Sequence, residues 1–84
     1  MFITLIKFRM NARDVVEVGK KIMQNLSPNV KITGTYWTLG SYDAAWLYEG
    51  SSEKDAIKLW LDAGDVVQTE TLVTIPRDEA MKLL

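Results

Sequence analysis

The sequence predicts one α+β domain over residues 1–84, with its elements in the order βαββαβ. Three observations predict it. A β-rich run leads into a helical stripe and out to another β-rich run, and the pattern occurs twice. A turn signal, Gly40-Ser41, joins the two halves as a hairpin. Two of the four strand runs are apolar and two are polar and Thr-rich, as expected of the centre and edges of one sheet. A split βαβ pair of this kind closes into a four-stranded antiparallel sheet with two helices on one face, the ferredoxin-like arrangement.

The first strand is Phe2 to Arg9, a compact apolar and β-branched run. Asn11 is an N-cap candidate, with Asp14 three residues on at the positive end of the helix. Val15, Val18, Ile22 and Leu26 recur at helical spacing, and Glu17 and Lys21 sit four apart on the outer face. Gly19 inside this helix costs about 1 kcal/mol against Ala unless it serves close packing. Ser27-Pro28-Asn29 ends the helix.

Val30 to Leu39 reads as the second strand, and Gly40 at the first central position suits a two-residue type II′ turn. Asp43 to Glu49 is the third strand. Ser52 with Asp55 three residues later forms a capping-box start, and Ala56, Leu59, Trp60 and Ala63 make the second helical stripe, which Gly64 stops. Val66 to Ile75 is the fourth strand. Beyond Pro76, Arg77 to Leu84 reads as a short closing helix, with Asp78 and Glu79 early and Lys82 late.

Composition excludes several function classes. Hydrophobic residues make up 48% of the chain, enough for a globular core, and the net charge of −1 comes with no basic run, so nucleic acid is not an expected partner. The absence of cysteine removes disulfides, thiolate metal sites and a Cys nucleophile. The absence of histidine removes the commonest general base and transition-metal ligand, and the usual axial ligand of haem. No metal and no cofactor is expected. No apolar run approaches the roughly 20 residues that span a bilayer, and the opening Met1 to Lys7 is no signal-peptide core. The cytoplasm is the expected compartment.

Strand alternation bears on assembly. In the first strand Phe2, Thr4, Ile6 and Phe8 share one face, and Ile3, Leu5, Lys7 and Arg9 the other. In the third, Ala44, Trp46 and Tyr48 oppose Ala45 and Leu47; in the second, Tyr36 and Trp37 point to opposite faces. Both faces therefore carry large apolar groups, and two helices cover one. A second copy packed on the uncovered face would remove that surface from water. The expected partner is the chain itself, as a homodimer or a higher homo-oligomer, and Trp46→Glu is expected to give a soluble monomer or misfolded protein.

The densest block is Tyr36-Trp37-Thr38-Leu39-Gly40-Ser41-Tyr42-Asp43. With Leu5 to Phe8 (LIKF) and Gln68 to Leu72 (QTETL), it resembles the GYD-domain family, small bacterial and archaeal proteins of unassigned function. The resemblance covers nearly the whole chain and implies a dimeric α/β-barrel fold. It brings no activity with it. Gln68 stands where the family pattern has a basic residue, which weakens anion binding there. The family is also longer between the first strand and helix, so a loop at that place is missing here.

Four residues are candidates for chemistry. Tyr42 and Asp43 form a pair that, at the mouth of a cleft and desolvated against Trp37 or Trp46, would supply a general base. Their structural reading is a turn in which Asp43 fixes the register. Lys7, in an apolar strand, needs a partner, and Glu70 on the neighbouring fourth strand is the expected mate. Tyr36, Trp37 and Trp46 are the candidates for lining a ligand cleft. No phosphate loop, nucleophile elbow or metal spacing is present. The favoured reading is a small-molecule-binding or interaction module for a small apolar ligand. The alternatives are a cofactor-free, monooxygenase- or isomerase-like enzyme on a small aromatic or apolar substrate, resting on fold analogy, and a structural oligomerisation unit.

Overall fold

Four strands hydrogen-bond into one antiparallel sheet in the order β2-β3-β1-β4. The computed structural model describes residues 1–84, the side chain of Asp62 excepted. The strands are β1 (Phe2–Phe8), β2 (Lys31–Trp37), β3 (Ala44–Glu49) and β4 (Val67–Val73). The helices are α1 (Ala12–Gln24), α2 (Glu53–Trp60) and the short α3 (Arg77–Met81). A single 3-10 turn, Leu61–Ala63, follows α2. This is the ferredoxin-like α+β fold, with the apolar β1 and β3 central and the Thr-rich β2 and β4 at the edges.

Local chemistry sets the helix starts. Asn11 Oδ1 accepts from Asp14 N at 3.0 Å, and Asn11 Nδ2 donates to Asp14 Oδ2 at 3.1 Å. At α2, Asp55 Oδ2 accepts from Ser51 Oγ (2.7 Å), Ser51 N (3.0 Å) and Ser52 N (3.2 Å). These bonds, the Ser51 hydroxyl first, hold the Asp55 carboxyl below its ordinary pKa. Two details differ from expectation. Glu17 pairs with Lys20 at 3.5 Å rather than with Lys21. Gly64 has a right-handed φ of −61°, and α2 ends instead by tightening into the 3-10 turn.

α1 and α2 lie on the face of the sheet that carries Phe2, Thr4 and Ile6. The core has two parts there. One joins Ile6, Ala44, Trp60, Ala63 and Val67; the other joins Phe2, Val30, Tyr48 and Ala56. A buried polar chain runs between them. The hydroxyls of Thr4 and Tyr48 are 2.8 Å apart, those of Thr4 and Thr71 2.9 Å, and Trp60 Nε1 donates to Tyr48 Oη at 3.2 Å. Trp60 is thus core, held by both packing and a hydrogen bond.

The register of β2 contains the feature that most affects the site. Ile32 pairs with Tyr48 but Gly34 with Leu47, so Thr33 is an extra residue in a β-bulge. The bulge shifts the alternation by one. Ile32, Thr35 and Trp37 end up on the helix side, opposite Tyr48, Trp46 and Ala44, and Tyr36 on the open side, opposite Ala45. Gly34 and Tyr36 then share the open face, and a Cβ at Gly34 would meet the Tyr36 ring at 2.7 Å.

The apolar surface is therefore distributed unequally. Every Phe and Trp of the sheet lies on the helix side. The open face holds Ile3, Leu5, Ala45, Leu47 and Leu72, with Tyr36 and Tyr42. Trp46 consequently belongs to the core layer, against Trp60 at a 5.0 Å centroid distance and 69°. Trp46→Glu would strike the interior, not a sheet-to-sheet contact.

Candidate functional site

α1 touches the sheet with its half-buried stripe of Val15, Val18 and Ile22, and none of its residues is fully buried. It stands off from the strands, and the gap is a cleft of about 550 Å³. That volume is within the range of small-ligand sites. The floor is Ile6, Phe8, Ala44 and Val67, with Trp46 and Trp60 at the α2 side and Trp37 at the β2 edge. Gly19 forms the roof directly above Trp46, where an added Cβ would sit 3.6 Å from Cζ2. Its absence of side chain keeps the cleft open at that point.

The rings are arranged edge to face. Phe8 and Trp37 meet at 5.7 Å and 73°, as Trp46 and Trp60 do at their closer distance. Such geometry lets each ring edge meet a neighbouring π-face. Trp37 is 68% exposed, so its ring forms a wall open to solvent rather than a plug. The polar groups of the lining are Thr35, Gln24 and Lys20, and Lys20 is its one titratable residue. Past Trp37 the surface continues into a shallow depression bounded by Arg13, Val16 and Glu17.

Of the cleft candidates, Trp37 and Trp46 line this space and Tyr36 does not. The bulge at Thr33 turns Tyr36 to the opposite face. Phe8, Trp60 and the α1 stripe complete the walls. Their sequence signal was helical and strand periodicity, which marks burial without distinguishing a core from a cavity wall.

The four candidates for chemistry gather elsewhere. Lys7 alternates with the buried Ile6, so its side chain is on the open face, and it is exposed. Its Nζ is 5.9 Å from the centroid of the Tyr42 ring. Tyr42 Oη donates to Glu70 Oε2. That carboxylate holds the Tyr42 phenol above its ordinary pKa, because it accepts the phenolic proton and repels the phenolate. Among the described residues Lys7 and Glu70 form no ion pair; Tyr42 bonds Glu70 instead and lies beneath the lysine. The expected Lys7–Glu70 mate relation is replaced by a Lys7–Tyr42–Glu70 row across β1 and β4.

Asp43 acts on the backbone. Its Oδ2 accepts from Phe8 N at 2.8 Å, and its own N–H donates to the Ile6 carbonyl at 2.8 Å. The side chain thus extends the β1–β3 ladder by one bond past the last paired residues. The β2–β3 connection is closed by Thr38 N to Asp43 O at 2.9 Å and by Thr38 Oγ1 to Tyr42 O at 2.7 Å. This is a four-residue loop, wider than the expected two-residue turn. Gly40 within it has φ +121°, a conformation that L side chains rarely adopt.

The cleft and the polar row are on opposite faces of the sheet. Among the described residues no group of three or more Asp or Glu could hold a metal ion. Among the described residues no helix is long and apolar enough to cross a membrane.

No model of a known family matches the chain, and no curated protein matches its sequence. Among solved structures the chain is similar to the crystal structure of FFRP-DM1, with a TM-score of 0.56 and 24% identity. The match covers 89% of this chain and 100% of that one. It is a likeness of fold, in agreement with the strand order above.

Proposed function

We propose that this chain is a small-molecule-binding module, with the ligand in the cleft between α1 and the sheet. The observation that carries this reading is the cleft of about 550 Å³ walled by Phe8, Trp37, Trp46 and Trp60. An apolar ligand there would remove ring surface from water at roughly 25 cal/mol per Å². The open position of α1 gives a route of entry. A thermal-shift screen of small aromatic and apolar compounds tests it, with calorimetry on the hits. Hits that raise Tm and are lost in Trp37→Ala support the proposal. A panel without a Tm shift, or hits indifferent to Trp37→Ala and Trp46→Phe, would refute it.

The same reading includes a second copy as partner, in line with the resemblance to GYD-domain proteins. Ile3, Leu5, Leu47 and Leu72 leave an apolar centre on the open face, beside Lys7 and Glu70 of opposite charge. A two-fold arrangement can place the lysine of each protomer near the glutamate of its partner. A cofactor-free enzyme is the weaker reading. Tyr42, Asp43, Lys7 and Glu70 are separated from the cleft by the sheet itself, so they offer it no proton-transfer group.

A further inference from the structure

We infer that the ligand of the cleft is an aromatic acid, seated with its ring inward and its carboxylate at the mouth between Arg13 and Lys20. This rests on the ligand-binding reading above and adds the chemical class.

The interior selects for a flat apolar body. Its walls are ring edges and faces at steep angles, 73° for Phe8–Trp37 and 69° for Trp46–Trp60. A ring inserted among them extends the edge-to-face pattern, whereas a flexible aliphatic chain would gain area alone. Trp60 Nε1 is already committed to Tyr48 Oη, so it leaves the deep end without a free donor from that ring. A charged or strongly polar group placed at that end would lose its hydration without replacement.

The mouth selects for negative charge. Lys20 lines the cleft, and Arg13 lines the depression that continues from it past Trp37, with Val16 common to both. The two cations are seven residues apart on one helix face, about 10 Å along the axis. One carboxylate in this region answers both, because it falls within a Debye length of each. Glu17 is the opposing charge at this place. It is 3.5 Å from Lys20, with both side chains about two-thirds exposed at 66% and 64%. Such a pair is weak and exchanges readily. The mouth as a whole, Arg13, Glu17 and Lys20, carries one net positive charge, which disfavours a cationic ligand and favours an anion.

The test is calorimetric titration of the full chain with 2-naphthoate and with its neutral counterpart 2-naphthamide, at low salt. The expected result is binding of both, with the acid tighter by about fivefold, the size that exposed charge pairs supply. The double variant Arg13→Gln/Lys20→Gln alters two exposed positions and is expected to fold as the parent does. It should bring the two affinities together, with the ratio of acid to amide affinity falling from about fivefold to near one. Equal affinities in the parent would overturn the head-group inference and leave the binding module standing. Retention of the full acid preference in the double variant would overturn it too, by removing the role of these two cations. Binding of neither compound would count against both this inference and the reading on which it rests.

Discussion

Tyr48 is the residue on which the buried hydrogen bonds converge. Its hydroxyl serves Thr4 on one side and Trp60 on the other, and the side chain has no solvent exposure. Tyr48→Phe keeps the ring, leaves Trp60 Nε1 without its partner and takes from the Thr4 hydroxyl one of its two, Thr71 remaining. The expected loss is about 1–3 kcal/mol in chemical denaturation. A Tyr48→Phe protein as stable as the parent would mean that the chain of hydroxyls contributes nothing. Tyr42 presents the surface counterpart. Glu70 holds the phenolic proton more tightly in the folded protein than in the unfolded chain. The contribution of this bond is therefore complete below the ordinary tyrosine pKa of about 10, and it is lost as pH rises through the higher folded value. Phenolate absorbance checks the sign. The difference between parent and Tyr42→Phe should titrate above the ordinary value, and Glu70→Gln should move it back down.

At the scale of elements, α1 holds a compromise between its own stability and the space below it. Gly19→Ala meets only ordinary van der Waals contact, 3.6 Å from Trp46 Cζ2. The substitution is expected to stabilise the protein by up to about 1 kcal/mol through helix propensity. It should also narrow the cleft over Trp46 and weaken binding of any ligand found there. Raised Tm with unchanged ligand affinity would show that the roof does not limit the site. Seven elements, four strands and three helices, and their order were readable because β-branched runs, caps and Gly/Ser/Pro breaks agree locally with the tertiary structure. Asn11, Ser52 and Asp55 act in the structure as their sequence positions predict. The faces of β2 were another matter. Nothing in Lys31-Ile32-Thr33-Gly34-Thr35 identifies Thr33 as surplus, because a bulge is decided by the pairing with β3 and not by the strand alone. That single residue determines that Trp37 faces the cleft and Tyr36 does not. The polar row was half readable for a related reason. Strand parity puts Lys7 and Glu70 on one face, but the loop that delivers Tyr42 between them has no period to read.

For the whole molecule, the question is what covers the open face. The described fold is a thin body, 44 × 31 × 17 Å, with α1 and α2 on the same side of the sheet. Leu47 lies near the middle of the other side, half-buried by its neighbours. If the proposed dimer forms, the parent is expected to sediment as a dimer and Leu47→Lys as a folded monomer in sedimentation velocity. Trp46→Glu should instead lower stability at any oligomeric state, since it inserts a carboxylate beside Trp60. A parent that sediments as a monomer at high concentration would refute the partner. The sheet also acts as a partition. In the proposed reading its two sides differ in tenant, one for a small guest and one for a sister chain, and among the described residues the cleft walls and the Lys7–Tyr42–Glu70 row lie on opposite faces. Two events on opposite sides of a rigid wall have no differential contact through which to influence each other. Guest affinity is accordingly expected to be the same in dilute and concentrated solution, and a guest that drives or opposes dimerisation would show that the wall bends.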